Sequence, residues 1–211
     1  MLEDLDMIGY NKRIDRPKHK EIMICLEWLA SFHSKGFFSS GKGIWDKGTY
    51  WHLGTRLEEF EAMEESNLKQ SAEKIDRELD LAKYQTILHG DAKIANFCFS
   101  SDSGSVAAVD FQYIGKGCGM KDLVYFLSSV LEESTIGKHS AKYIDHYFKF
   151  LELYIDKYEV DIKFGEIEKE WRELYDYAVA DFERFLLGWM PTHYKLNSYT
   201  KEVTENLISN L

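Results

Sequence analysis

Regular hydrophobic patterning begins near residue 16. Between Arg16 and Lys35 the apolar residues Ile22, Met23, Leu26, Leu29, Ala30 and Phe32 recur at three- and four-residue steps, with Pro17 near the start and Gly36 just past the end. Side chains at those steps share one face, so the spacing predicts an amphipathic helix. A looser stretch follows, "GFFSSGKGIWDKGTYWHLGTR". From Thr55 to Lys83 a second stripe of Leu57, Phe60, Met63, Leu68, Ala72, Ile75, Leu79 and Ala82 predicts one or two further helices. The period then changes. "QTILHG", "NFCFS" and "SVAAVDFQYI" are short β-branched or aromatic runs, and "SDSGS" supplies turn residues between the second and third, which predicts strands and a hairpin. After the glycines at 115, 117 and 119 the helical period returns over 121–133, 138–158, 165–188 and 199–210. The expected fold class is α+β, mainly α, with a small β insert between helices.

Composition adds to this picture. A chain of 211 residues, 45% apolar and 15% aromatic, can fill a real core. Two prolines, no low-complexity tract and no repeat predict one domain over residues 1–211 without a linker. The N-terminal "MLEDLDMIGYNKRIDR" carries charges where a signal peptide needs an apolar centre, and no apolar run approaches the roughly 18 residues of a membrane span, so no membrane association and a cytoplasmic location are expected. Cys25, Cys98 and Cys118 form no C-x-x-C pair and are expected as reduced thiols. The formal charge of −10 argues against general nucleic-acid binding, which calls for a basic surface, and leaves room for a cationic small substrate.

Candidate chemistry concentrates in "HGDAKIANFCFSSDSGSVAAVDFQ". Kinase-type phosphoryl transfer asks for a carboxylate to orient the attacking hydroxyl, and for a second carboxylate and an amide to hold metal ions that neutralise the phosphates. His89, Asp91 and Asn96 fit the spacing H-x-D-x-x-x-x-N of a kinase catalytic loop. Asp110 in "VDFQ" falls where the metal-binding Asp of a D-F-G motif would lie. Lys93 stands two residues past Asp91, as a phosphate contact or as a solvated loop lysine. Taken singly, an Asp at a strand end or an Asn after a loop is an ordinary turn former. Together, within a strand–loop–strand–turn–strand context, they predict one cleft able to grip a divalent cation. His89 is expected to brace the loop rather than take part in chemistry.

"HGDAKIANFCFS" and "VAAVDFQYIGKGCGMKDLVYFL" resemble the aminoglycoside phosphotransferase and choline kinase superfamily, most closely its ecdysteroid-kinase-like branch. The resemblance implies a protein-kinase-like C-terminal lobe using ATP and Mg2+, with Asp91 as catalytic base and Asn96 and Asp110 as magnesium ligands. It implies that Asp122 in "KDLVYFL" holds the catalytic-loop backbone, a role compatible with a carboxylate favoured at a helix N-terminus. "MLEDLDMIGY" resembles the family's hinge beside the adenine, which makes residues 1–10 a hinge-like segment and gives Leu5 a cofactor contact. Residues 85–114 then form the catalytic and metal-binding strands and 120–211 a helical substrate subdomain. A glycine-rich phosphate loop and a strand lysine are not visible. "SGKGIWDKG" sits between helical segments, the wrong context for such a loop, so an absent N-terminal lobe or a partner chain supplying it is expected. By analogy with the aromatic cage of choline kinases, Trp189 and Tyr194 are candidates to contact a cationic substrate, although aromatics at helical spacing also serve as core. Asp181 and Glu183 are candidate acidic contacts beside the alternative of a solvated helix face. The leading expectation is an ATP- and magnesium-dependent kinase acting on a hydroxyl of a small molecule. The rivals are a non-catalytic, pseudokinase-like lobe that binds a partner or nucleotide, and an unrelated helical protein whose hairpin mimics the motif.

Overall fold

A computed structural model describes residues 4–211. The elements run α1 (His19–Gly36), α2 (Leu57–Ala62), α3 (Asn67–Asp80), β1 (Thr86–Leu88), β2 (Phe97–Phe99), β3 (Val106–Ala108), β4 (Gly115–Gly117), α4 (Met120–Val130), α5 (Glu133–Lys157), α6 (Phe164–Trp189) and α7 (Ser198–Ser209). The fold is mainly helical with small antiparallel sheets, in the class the sequence predicts.

Helix α1 buries the predicted stripe: Ile22, Cys25, Leu26, Leu29 and Ala30 are shielded from solvent. Each fully buried leucine contributes about 2 kcal/mol of apolar transfer energy. Its principal partner is α5, and its last turn abuts β1. Gly36 permits that approach, since a Cβ there would collide with the Thr86 hydroxyl and the Ile87 backbone. The long stripe over 55–83 resolves into two helices. Ser66 breaks it by adopting extended geometry and capping α3, its hydroxyl accepting the Lys69 N–H at 3.2 Å. Asn197 caps α7 in the same manner, through the N–H groups of Tyr199 and Thr200.

The β insert differs from a single hairpin. β2 and β3 pair antiparallel, with Phe97 opposite Ala108, while β1 pairs antiparallel with β4, Thr86 facing Gly117 and Leu88 facing Gly115. β4 is a strand the hydrophobic pattern did not predict. Two separate two-stranded ribbons therefore stand end to end, joined by the β1–β2 connection (89–96) and the β3–β4 connection (109–114). The segment 37–56 stays irregular, as predicted. It lies along β4, where the Trp45 N–H donates to the Ile114 carbonyl and the Gly48 N–H to the Lys116 carbonyl.

Helices α4 and α6 pack against each other, and α6 also meets α2, α3 and α7. Consequently α6 is enclosed on every side over residues 178–186. Among the described residues no helix is long and apolar enough to cross a membrane. All three cysteines are buried free thiols, and burial pushes the Cys118 thiol up to about 12.

Candidate active site

The loop after β1 is held from below by α4. Asp122, in the first turn of α4, is fully buried and accepts two backbone donors: His89 N–H at 2.6 Å on Oδ2 and Gly90 N–H at 3.0 Å on Oδ1. Two turns further on the same face, the Ser129 hydroxyl accepts the Ile94 N–H at 3.0 Å. Both ends of the loop are thereby fixed to one rigid helix. Gly90 makes the bend between them. Its φ of +83° suits glycine, and a Cβ would strike the Tyr113 carbonyl.

Between the anchors, Asp91 is buried at 3% exposure, and its carboxylate is oriented by neighbours close in sequence. Oδ2 accepts Lys93 Nζ at 2.9 Å and Asn96 Nδ2 at 2.9 Å, and Asn96 Nδ2 also donates to the Asp91 carbonyl at 2.8 Å. Oδ1 is buried and has no hydrogen-bond partner among the described residues. A buried carboxylate oxygen without a donor is costly, so this atom is poised for a proton, a hydroxyl or a cation.

Asp110 lies on the other connection between the ribbons. The Val109 N–H donates to the Asn96 carbonyl at 2.9 Å, which brings the backbone of Asp110 to within one residue of Asn96. Asp110 is exposed and adopts φ +67°, an uncommon left-handed conformation for a residue with a side chain. The structure thus brings Asp91, Lys93 and Asn96 into direct contact and sets Asp110 beside them through its backbone. Among the described residues there is no group of three His, Cys, Asp or Glu side chains gathered for a metal. The expected ligands are one amide and one carboxylate, a different kind of set. His89 Nε2 meets the Val109 carbonyl at 2.9 Å and its ring rests on Phe111, with centroids 4.6 Å apart. Burial lowers its pKa in spite of the nearby Asp122 carboxylate, so the ring is neutral and ties the two connections together.

A pocket of about 300 Å³ opens beside this loop, lined among others by Lys93, Tyr50, Tyr125, Phe182, Trp189, Tyr194 and Lys195. An adjoining hollow of about 530 Å³ shares Asp15, Ser129, Tyr194 and Lys195 with it. Other hollows, of about 580 and 710 Å³, include none of the loop residues. Trp189 and Tyr194 therefore both reach the space next to Lys93. The Tyr50 and Tyr125 hydroxyls lie 3.2 Å apart. Burial, the neighbouring Tyr50 and the Asp91 carboxylate push the Tyr125 phenol far up, keeping it protonated as a donor.

Two expectations are corrected. Asp181 is neither a substrate contact nor on a solvated face: it is fully buried, with Arg184 Nη2 at 2.7 Å and Lys121 Nζ at 3.1 Å. Burial alone would raise its pKa, but Lys121 and Arg184 outweigh it and hold the carboxyl below the usual range. Glu183 is likewise buried and accepts the Thr204 hydroxyl at 3.0 Å. Leu5 sits in a turn, its carbonyl accepting the Tyr10 N–H at 2.8 Å; the first three residues of the hinge-like segment lie outside the described residues. Tyr50, Tyr125, His33 and Lys195 were not singled out from the sequence. Tyr125 carried a signal, standing one helical turn after Asp122 in "KDLVYFL". The others did not.

The family model described as the ecdysteroid kinase-like family matches residues 47–160, a span that includes both connections, Asp122 and Tyr125. The chain belongs to that family. An uncharacterized kinase-like protein of Caenorhabditis elegans is 22% identical over 130 residues, covering 61% of this chain and 33% of the worm protein. The chain thus spans about a third of the length of that relative. A solved structure of an aminoglycoside-3'-phosphotransferase of type VIII is similar with a TM-score of 0.42 at 15% identity, over 81% of this chain and 64% of the other.

Proposed function

We propose that this chain carries the base and the metal-holding groups of an ATP- and Mg2+-dependent kinase that phosphorylates a hydroxyl of a small molecule. The observation that carries the reading is Asp91: a buried carboxylate with one oxygen fixed by Lys93 and Asn96 and the other unpartnered, beside a pocket walled by aromatic rings. Asp91 Oδ1 would orient the acceptor hydroxyl and take its proton as the new O–P bond forms and the γ-phosphoryl bond of ATP breaks, with ADP leaving. Lys93 keeps the carboxylate in place and presents positive charge toward the transferring phosphoryl group. The Tyr125 hydroxyl, kept protonated, is available to orient an acceptor oxygen.

The carbonyl oxygen of Asn96, whose amide nitrogen is committed to Asp91, and the carboxylate of Asp110 would hold the magnesium, which supplies neutralisation of phosphate charge. The exposed, strained setting of Asp110 suits a residue waiting for such a partner. In this reading the protein works in the cytoplasm, where ATP is at hand. Leu5 and its turn would border the nucleotide, with the remaining phosphate contacts supplied by a lobe or partner carrying a strand lysine.

The test is phosphate transfer from ATP to a panel of small alcohols. Asp91→Ala should lower turnover by about a hundredfold or more, as removal of a general base does, and Asp110→Asn should abolish the magnesium-dependent transfer. Turnover within a few-fold of wild type in Asp91→Ala would reject the assignment. Nucleotide binding with no transfer under any condition would favour the non-catalytic alternative.

A further inference from the structure

The pocket beside the Asp91 loop holds a second, buried lysine, Lys195. Lys195 belongs to the segment between α6 and α7, where its backbone N–H meets His193 Nδ1 at 3.2 Å and its carbonyl accepts Asn197 Nδ2 at 3.0 Å. From there its side chain reaches inward, with Nζ 4.2 Å from the centre of the Tyr125 ring and 5.6 Å from that of Phe182. The residue is only 7% exposed and lines both the pocket and the adjoining hollow. The amine thus lies over the rings of Tyr125 and Phe182, in the pocket that Trp189 and Tyr194, the expected cage for a cationic substrate, also line.

Its charge has no matching carboxylate. Among the described residues no acidic side chain forms an ion pair with Lys195, and Asp91 is engaged with Lys93 at 2.9 Å. Asp15 in the pocket wall, and Glu132 and Glu133 in the adjoining hollow, are exposed, so water screens them. Aromatic faces compensate a buried ammonium only in part, and the desolvation of an unpaired charge remains uncompensated. A buried lysine without a counter-ion, facing a pocket, is fully charged only when the counter-ion arrives with the ligand.

We propose that the hydroxyl compound taken by this pocket carries an anionic group, a carboxylate or a phosphate, which docks on the Lys195 ammonium, and that cationic alcohols are refused. This rests on reading the pocket as the acceptor site, and it reverses the expectation of a cationic substrate drawn from the acidic charge of the chain. The protonation of Lys195 agrees with it. Burial first, and the Lys93 ammonium second, bring its pKa down to about 7 against the opposing pull of Asp91. An arriving anion stabilises the protonated form, so binding takes up a proton. The other groups facing it do not supply one near pH 7.5: burial, then Lys195 itself, lowers the His193 pKa, and burial raises those of the Tyr50 and Tyr125 phenols.

Calorimetric binding without nucleotide decides the matter, using para-substituted hydroxymethylbenzenes that differ only in the second group: carboxylate, phosphate, hydroxymethyl or trimethylammoniomethyl. The two anions should bind about tenfold or more tighter than the neutral diol, a difference of roughly 1.4 kcal/mol. The cation should bind more weakly still. In Lys195→Met, which keeps the length and apolar stem, the anion preference should shrink to about twofold. Which of carboxylate and phosphate binds tighter identifies the source of the charge. At pH 7.5 the enthalpy for the anions should vary with the ionisation heat of the buffer, showing proton uptake, and this variation should vanish in Lys195→Met. Should that variant fail to fold, the buffer dependence and the charge preference of the unaltered chain decide alone. A neutral or cationic probe binding as tightly as the anions, anion binding without proton uptake, or no anion binding at millimolar concentration would overturn the inference. A chain that binds anions in this way yet transfers no phosphate would sustain it while sinking the kinase reading, and the reverse holds for transfer without charge preference.

Discussion

His33 Nε2 lies 3.1 Å from Asp122 Oδ2, and neither side chain meets solvent. The contact links α1, separated in sequence by two helices and the β insert, to the carboxylate that holds the loop bearing Asp91. His33 Nδ1 meets the Tyr147 hydroxyl at 2.7 Å, so α1, α4 and α5 converge on the support of that loop. Removing Asp122 would leave two buried backbone N–H groups and a buried imidazole without their acceptor. Asp122→Ala should therefore lose about 3 kcal/mol or more in denaturant unfolding, since hydrogen bonds to a buried charge are expensive to break on one side. Asp122→Asn, which retains one acceptor oxygen, should lose less. Equal and small losses in the two variants would show that the helix does not support the loop.

Gly90 makes the bend above that carboxylate, and two penalties meet there. A side chain would be strained at φ +83° and its Cβ would enter the Tyr113 carbonyl. Gly43 has a similar φ of +86° but open space around it. Gly43→Ala should cost about 1 kcal/mol, the conformational part alone, whereas Gly90→Ala should cost roughly 3 kcal/mol or more once the collision is added. Thermal melts of the two variants side by side separate strain from collision.

The buried ion cluster on α6 offers a third test. Asp181, Lys121 and Arg184 are all buried, and Arg184 Nη2 also donates to the Trp51 carbonyl at 2.7 Å. Arg184→Met should destabilise by about 3–5 kcal/mol, because it leaves a buried carboxylate short of a partner. Lys201→Ala, which removes an exposed i,i+4 pair with Glu205, should change stability by less than about 0.5 kcal/mol. Comparable losses in the two would contradict the burial that separates them.

Acid should weaken the fold above the range where carboxylates titrate. Burial, with Lys121 beside it, lowers the His52 pKa from the ordinary 6.5 to about 4. Because the unfolded chain binds that proton more readily, the contribution of neutral His52 is complete above pH 6.5 and is lost as pH falls toward 4. Unfolding free energy measured between those limits should drop with acidification, and His52→Gln should flatten the slope. An unchanged slope would assign the sensitivity to other groups.

What could be read in the sequence, and what could not, follows from the distance over which each feature is determined. The stripe of α1 and the outer turns of α5 and α7 are amphipathic because one face meets water, so periodicity reveals them. Asp91, Lys93 and Asn96 lie within six residues, and their mutual contacts are set by the local loop. Asp181 misled for the opposite reason. Over 178–186 helix α6 is buried on all sides, and a carboxylate there gives no sign that Lys121, sixty residues earlier, is its partner. β4, "GKG", has no β-branched residue and becomes a strand only because β1 offers its edge. Lys195 had no legible role, since the rings that receive it come from α4 and α6.

The two ribbons of the β insert meet at a seam crossed by two short stretches of chain, one carrying Asp91 and the other Asp110. A small twist of one ribbon against the other would alter the spacing between those carboxylates while leaving both hydrogen-bonded ladders intact. What holds that spacing is a pair of bridges across the seam, His89 Nε2 to the Val109 carbonyl and the Val109 N–H to the Asn96 carbonyl.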